Sequence, residues 1–227
     1  MSREWLWIGG LAALAALDRT AILQAGLGRP LVVGAAVGWI LGRPETGLWA
    51  GALLEMFWLY DLPVGAAVPP DEAAAGIAAA AGACAFPEGA GPWAAGGYGV
   101  LLGLAAGLLA GRVDQGVRRW NDGLAERARE RLAAGQPAHL GRLVALGALR
   151  FGAAGALAAV GLGAAAAWGA GRVPVPAHRG LELVGLTLPV LGAAACLGRL
   201  PAGRGTGWFL VGAAAGAGGQ RAGLWPR

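Results

Sequence analysis

Glu55 is the residue whose type and position most clearly indicate chemistry, because it is a carboxylic acid inside the apolar run LLEMFW at 53–58. Inside a bilayer a charged side chain costs about 2.5–3.5 kcal/mol on insertion scales unless it is paired or faces water. An acid at such a position therefore indicates a functional site. The structural alternative is a hydrogen bond to a neighbouring helix.

Asp71 follows a stretch in which the backbone is expected to leave the helical conformation. Pro69 and Pro70 cannot continue a helix, and Gly65 permits backbone shapes that larger residues resist. Asp71 then stands at the N-cap position of the segment EAAAGIAAAAGA at 72–83, where the positive end of the helix dipole favours an acid. Two interpretations remain open. Asp71 only caps this helix, or its second oxygen and the freed backbone groups bind a polar solute in the membrane.

Other polar or aromatic candidates lie in the first apolar region and beside Glu55. Asp18 and Arg19 are expected to pair with neighbouring polar groups, chiefly as a structural network, or to face a cavity. Gln24 offers neutral hydrogen bonds of the kind that hydroxyl groups use. Trp58 presents a large aromatic ring close to Glu55 in the sequence.

Residue types needed for catalysis or metal binding are scarce. The only histidines, His139 and His178, have no partner at metal-site or triad spacing, so both are predicted to be loop residues. The two cysteines, Cys84 and Cys196, lie in apolar runs as small hydrophobic residues. No nucleophile elbow, zinc-protease motif or phosphate-binding loop occurs. The sequence predicts no catalytic residue, metal or cofactor, and enzymatic activity is left undecided.

The composition indicates a helical membrane protein. Charged residues make up 14% of the 227 residues and hydrophobic residues 56%, whereas a soluble domain has about 25% charged residues. The ten Trp residues and the long apolar runs argue against disorder. The net charge of +5 does not indicate nucleic-acid binding, because the Arg residues lie between apolar runs, where they set membrane orientation.

The apolar segments differ in length. Segments 91–111 and 144–171 are long enough for complete spans, which need about 20 apolar residues. Several others are short and interrupted by Gly or Pro, as is typical of broken or re-entrant helices in transporters. The predicted fold is therefore an all-α, polytopic membrane protein with short discontinuous or re-entrant helices.

One long polar stretch, 112–142, divides the chain into an N-terminal membrane region, 1–111, and a C-terminal one, 143–227. The stretch carries seven Arg residues, so the positive-inside rule predicts a cytoplasmic helix and loop. Residues 1–17 begin like a signal peptide. The two early Trp residues and the apolar segment that follows favour a retained membrane helix instead.

Several motifs resemble the IIC subunit of the mannose/fructose/sorbose family of the bacterial phosphoenolpyruvate-dependent sugar phosphotransferase system. They are LDRTAILQ, RPLVVG and ILGRPETGLWAGALLEMFWLYDLPVGAAVPPDEAAA. The resemblance is most evident over residues 17–80 and continues in LPVLGAAACLGRL and GWFLVGAAAG near the C-terminus.

This resemblance implies a permease subunit of the bacterial inner membrane that binds a hexose-type sugar at mid-membrane and delivers it to a cytoplasmic IIB phosphodonor. It also implies a IID membrane partner, IIA and IIB phosphocarriers that perform the phosphoryl transfer, and an oligomer, a trimer of heterodimers. Glu55, Asp71 and Gln24 match motif positions and are expected to contact the sugar or organise its site. The Trp58 ring is expected to stack on the apolar face of the sugar, to face lipid or to contact a partner subunit. The alternative is a non-transporting membrane scaffold or regulator with the same fold.

Overall fold

The computed structural model describes residues 3–20, 24–58 and 69–197, together with positions 207, 211, 212 and 214. These residues form helices and no strand, which confirms the predicted all-α class. In chain order the α-helices are α1 Arg3–Thr20, α2 Pro30–Ile40, α3 Pro44–Trp58, α4 Glu72–Ala85, α5 Gly91–Ala133, α6 Leu140–Ala170 and α7 Val175–Leu197.

Helices α5 and α6 form a long antiparallel hairpin. The Tyr98 hydroxyl donates to the Ala166 carbonyl oxygen over 2.8 Å near one end of the hairpin. The Asn121 side-chain amide donates to the Gly147 carbonyl oxygen over 3.3 Å nearer the other end. Both helices are long and apolar enough to cross a membrane. Helix α5 contains the predicted span 91–111, and α6 covers the predicted span 144–171 as far as Ala170.

The basic stretch after position 111 continues α5 rather than starting a new element. The helix has 43 residues and extends roughly 65 Å, about twice the 30 Å hydrocarbon core of a bilayer. Arg, Glu and Ala are good helix formers, so the change from apolar to charged sequence does not end the helix. The boundary predicted at 112 falls inside α5, and residues 134–139 form the turn to α6.

Helices α2 and α3 form a tight hairpin that depends on glycine. A Cβ added at Gly34 of α2 would lie 2.8 Å from the Gly47 carbonyl oxygen and 2.9 Å from the Gly51 Cα of α3. No larger residue permits this approach without moving a backbone. Small residues let helices come close enough for van der Waals packing, which holds helices together where lipid supplies no hydrophobic drive.

The short helix α4 lies at the centre of the bundle, packed against α2, α3, α5 and α6. Every residue from Ala73 to Cys84 is buried. A Cβ added at Gly103 of α5 would lie 2.8 Å from the Ala75 carbonyl oxygen, so α5 also depends on glycine to approach α4. The 14 residues of α4 extend about 21 Å, less than a bilayer core. The helix is therefore of the short apolar kind that the sequence predicts.

An arginine and an aromatic cluster close the C-terminal end of α4. Arg43 Nη1 donates to the carbonyl oxygens of Cys84 and Phe86 over 2.6 Å and 3.3 Å. The Phe86 ring lies 5.1 Å from the rings of Tyr98 and His178. His178 belongs to α7, so its prediction as a loop residue is wrong; a proline-containing first turn, which helices accept, begins α7 before it.

Candidate functional site

The candidate site lies where the C-terminal ends of α1 and α3 meet the N-terminal ends of α2 and α4 beside α5. Two helix N-termini in one place concentrate unpaired backbone amides and positive dipole ends, which acidic groups compensate. We call this region the polar layer. Its charged members are Asp18, Arg19, Arg29, Glu55, Asp71, Glu72 and Asp114.

Asp18 fixes the turn that connects α1 to α2. Its two carboxylate oxygens accept the backbone amides of Ala25 and Leu27, each over 2.8 Å. Left-handed backbone at Gln24 (φ 52°) and Gly26 (φ 81°) makes the turn tight. Asp18 thus belongs to a structural network, and its partners are backbone amides.

Arg29 joins acids from two helices. Its Nε lies 3.2 Å from Glu55 Oε1, and its Nη1 lies 3.5 Å from Glu72 Oε2. The other oxygen, Glu55 Oε2, accepts the Leu31 amide in the first turn of α2 over 3.2 Å. The side chains of Glu55 and Glu72 are 13% and 17% exposed. Both charges are therefore largely removed from water and depend on the shared guanidinium.

Arg19 joins the N-terminus of α4 to α5. Its Nη2 lies 3.1 Å from Asp71 Oδ2 and 3.4 Å from Asp114 Oδ2. Arg118 Nε donates to the same Asp114 oxygen over 3.1 Å. Asp71 Oδ1 accepts the Ala74 amide over 3.0 Å, which confirms the predicted N-cap of α4. Asp71 and Asp114 are both buried, so loss of Arg19 would leave Asp71 without the counterion described here and Asp114 with Arg118 alone.

A small cavity lies beside Arg19, between α1, α4, α5 and α6. Asp71 and Asp114 also line it, together with apolar residues such as Val113 and Phe151. Its volume is about 10 Å³, roughly the space that one water molecule needs. Two buried polar atoms of its lining residues, Arg19 Nε and Asp114 Oδ1, have no hydrogen-bond partner among the described residues.

The polar layer lies near the end of the apolar part of α5. The Asp71 amide donates to the Gly107 carbonyl oxygen over 2.9 Å, and Gly107 is about 24 Å along the helix from Gly91. Asp114 lies further on, at about 35 Å. The first charged residue of α5, Arg112, falls between these two levels.

The remaining predicted site residues lie outside the ion-paired groups. Gln24 is exposed in the turn between α1 and α2. Trp58 is 4% exposed and belongs to the hydrophobic core, so its ring is covered by the bundle. Pro69 and Pro70 form the non-helical segment directly before Asp71, whereas Gly65 lies outside the described residues.

Three charged members of the polar layer were not predicted from the sequence: Arg29, Glu72 and Asp114. Arg29 precedes the helix-breaking Pro30, and Glu72 follows the N-cap residue Asp71. These local features account for both residues and do not indicate a binding site. Asp114 lies in the basic stretch, where a charged residue is expected to be exposed to solvent. Its sequence signal is the apolar residue three positions further on, Val117, which continues the buried face of α5 past the first arginine.

The polar layer suits a solute rich in hydroxyl groups. Carboxylates accept and guanidinium groups donate charge-assisted hydrogen bonds, which are stronger than bonds between neutral groups. Within the described ranges, no group of three or more His, Cys, Asp or Glu side chains is placed to hold a metal ion.

Comparison with known proteins adds a family and a fold. A family model described as the sorbose-specific IIC component of the phosphotransferase system matches residues 4–217. A solved structure described as a membrane protein superposes with a TM-score of 0.73 at 22% identity, covering 96% of this chain and 87% of that chain. The cryo-EM structure of the mannose transporter ManYZ in complex with microcin E492 (MceA) superposes with a TM-score of 0.61, at the same identity and coverage. No curated protein sequence matches the chain significantly.

Proposed function

Because the chain belongs to the sorbose-specific IIC family of the sugar phosphotransferase system, we propose that its polar layer binds a hexose-type sugar and releases it to a cytoplasmic IIB phosphodonor. Family membership and the transporter fold make the chain a membrane component of a sugar permease. The proposal adds what the chain binds, where it binds it and which partner receives it.

The observation that supports this proposal most directly is the gathering of five carboxylates and two guanidinium groups at the ends of short helices in an apolar bundle. Glu55 and Asp71 each accept one backbone amide and one guanidinium group. A carboxylate has about four acceptor positions, so each keeps capacity for a sugar hydroxyl. Their bound partners hold the oxygens in place before the sugar arrives.

We place the sugar site towards the cytoplasmic end of the membrane. The positive-inside rule orients the basic half of α5 to the cytoplasm, and the polar layer lies about 24–35 Å along α5 from the opposite end. This level differs from the mid-membrane level expected from the sequence. A sugar held there is close to a phosphodonor that approaches from the cytoplasm.

The proposed partners follow from the family. They are a IID membrane subunit and the cytoplasmic phosphocarriers IIA and IIB, in a trimer of heterodimers in the bacterial inner membrane. The outer face of α6 leaves Leu149 and Leu157 exposed by 66% and 77%. Such a face requires lipid or another membrane subunit to cover it.

Two substitutions test the sugar site: Glu55→Gln and Asp71→Asn. Gln keeps an acceptor for the Leu31 amide, and Asn is a good N-cap, so both variants preserve the helix ends. Each removes a charge that binds a hydroxyl or orients the site. We expect uptake of labelled hexose, in cells carrying the chain with its neighbouring operon, to fall about 10- to 100-fold, as for loss of a charged hydrogen bond.

Glu126→Gln provides the matched control, because Glu126 is an exposed acid on the cytoplasmic half of α5 that pairs with Arg129 at 3.4 Å. We expect its uptake to equal that of the unmodified chain, and all three variants to reach the membrane in equal amounts. Normal uptake in both site variants would remove Glu55 and Asp71 from the site. Absence of uptake for every hexose in the unmodified chain would favour a non-transporting scaffold.

A further inference from the structure

We propose that Asp114 and Arg19 form a hydroxyl-binding pair that completes the sugar site, with Asp114 Oδ1 accepting from one substrate hydroxyl and Arg19 Nε donating to it. This inference rests on the proposed function. It adds a third carboxylate, that of Asp114 on α5, to those of Glu55 and Asp71. It also assigns a contact with the substrate to the Arg19 guanidinium group, which lies between α1 and α4.

The first support is the unmatched hydrogen-bonding capacity at this point. The Asp114 side chain is 3% exposed, and its Oδ2 is used by Arg19 and Arg118. Its Oδ1 is buried and has no partner among the described residues, and the same holds for Arg19 Nε. Buried polar groups in folded proteins are almost always hydrogen-bonded, so a free acceptor and a free donor beside one cavity indicate a missing ligand.

The second support is the chemistry that would match both atoms at once. A hydroxyl group donates one hydrogen bond and accepts others, so one hydroxyl offers both the donor that Asp114 Oδ1 lacks and the acceptor that Arg19 Nε lacks. A cation would be repelled by the guanidinium, and an anion by the carboxylates of Asp71 and Asp114. An apolar group would leave both atoms unsatisfied. The ligand is therefore a hydroxyl, supplied either by the sugar or by a water molecule.

The third support is the size and position of the cavity. Its volume of about 10 Å³ takes one water-sized group, so one hydroxyl enters it while the sugar ring stays outside. The small residues Ala154, Gly155 and Ala158 of α6 form part of its wall. The Arg19 side chain is 21% exposed, so a residue that lines the cavity also reaches the surface of the chain. Asp71, which lines the same cavity, is then close enough to take part in binding the same sugar.

The test uses membranes from cells that carry the full chain with its neighbouring operon. Binding of labelled D-mannose, D-fructose and L-sorbose identifies the hexose held most tightly. Monodeoxy analogues of that hexose, each lacking one hydroxyl, then compete for the site in the unmodified chain and in Asp114→Asn. We expect one analogue to bind the unmodified chain about 10- to 100-fold more weakly than the parent. We expect Asp114→Asn, which replaces the charged acceptor by a weaker neutral one, to reduce discrimination at that position alone.

Arg19→Lys supplies a second variant, because Lys keeps the charge near Asp71 and Asp114 but lacks the Nε donor. We expect it to lose discrimination at the same hydroxyl, whereas Glu126→Gln discriminates like the unmodified chain. A merely structural role would weaken binding of the parent and of every analogue by the same factor, and that result would overturn the proposal.

Occupation of the cavity by water alone predicts a different result. In that case the deoxy analogues would show no position that depends on Asp114 or Arg19, and the proposal would fail. Should neither variant fold, the unmodified chain still decides, because tolerance of every deoxy analogue within twofold excludes a hydroxyl held by the pair. If Glu55→Gln weakens hexose binding but no hydroxyl position depends on Asp114 or Arg19, only this inference fails. Absence of binding for all three hexoses removes the proposed function as well.

Discussion

Both ends of α4 are held by arginines, but the two ends use them differently. At the C-terminal end, Arg43 donates to two backbone carbonyl oxygens, those of Cys84 and Phe86, and its ion pair with Glu88, at 3.8 Å, involves an exposed acid. At the N-terminal end, Arg19 and Arg29 contact acidic side chains from several helices. One end thus satisfies the helix with a single arginine and aromatic packing, whereas the other gathers more charge than a helix terminus requires.

The difference separates structural needs from functional ones. An N-cap such as Asp71 pairs with one of the four free amides at the start of a helix and contributes about 1 kcal/mol without any counterion. Buried ion pairs add little net stability, because desolvation offsets the attraction between the charges. The additional acids on α3 and α5 are therefore poorly explained by stability. The proposed hydroxyl-binding site would account for them.

The largest effect on stability is expected at the contact between α4 and α5, which supports α4 between its two ends. Gly103→Leu would force α5 away from α4, because even a Cβ at this position lies 2.8 Å from the Ala75 carbonyl oxygen. We expect destabilisation of about 3 kcal/mol or more, since overpacking here moves backbone rather than a flexible side chain. Thermal unfolding of the purified chain in detergent measures this effect.

Gly116→Leu is the matched control on the same helix, because nothing lies within 4 Å of a Cβ added there. It should stabilise α5 by up to about 0.8 kcal/mol through helix propensity. Equal loss of stability in the two variants would show that leucine disturbs α5 itself and that the close contact with α4 is unimportant.

The N-cap at Asp71 and the short apolar helix after it could be predicted, because capping and proline breaks are local in sequence. The partners of Asp71 could not. Arg19 and Asp114 are separated from it by 52 and 43 positions, and no local pattern states which helices pack together. The charged half of α5 was assigned to a separate region because a change of composition resembles a boundary, although charged residues with high helix propensity extend a helix readily.

The next largest effects on stability and hexose binding are expected when an arginine is replaced at one end of α4 or at the other. Arg43→Gln removes donors from two carbonyl oxygens, and we expect a loss of about 1–2 kcal/mol in stability with unchanged hexose affinity. Arg29→Gln removes the counterion of Glu55 and Glu72. We expect it to weaken hexose binding about tenfold or more, because the acceptor oxygens lose their fixed orientation.

Thermal unfolding and hexose binding, measured together on both variants, give the comparison. The two ends of α4 would have to be regarded as equivalent if Arg43→Gln weakened binding as strongly as Arg29→Gln. Arg29→Ala extends the series, because it also removes the remaining hydrogen-bonding capacity of Gln and should weaken binding further.

The smallest effect is expected at the aromatic end. Tyr98→Phe removes the hydroxyl that donates to the Ala166 carbonyl oxygen over 2.8 Å. That oxygen lies inside α6, where the backbone also supplies a donor, so the variant leaves no buried acceptor wholly unpaired. We expect a loss of about 0.5–1.5 kcal/mol, seen as a decrease of roughly 1–6 °C in Tm. Hexose affinity should not change.

Tyr98→Leu also removes the ring that lies 5.1 Å from Phe86, and should lower the Tm further. A Tyr98→Phe variant with intact stability but weakened hexose binding would contradict the structural role assigned to the C-terminal end of α4, because that end would then act on the sugar site.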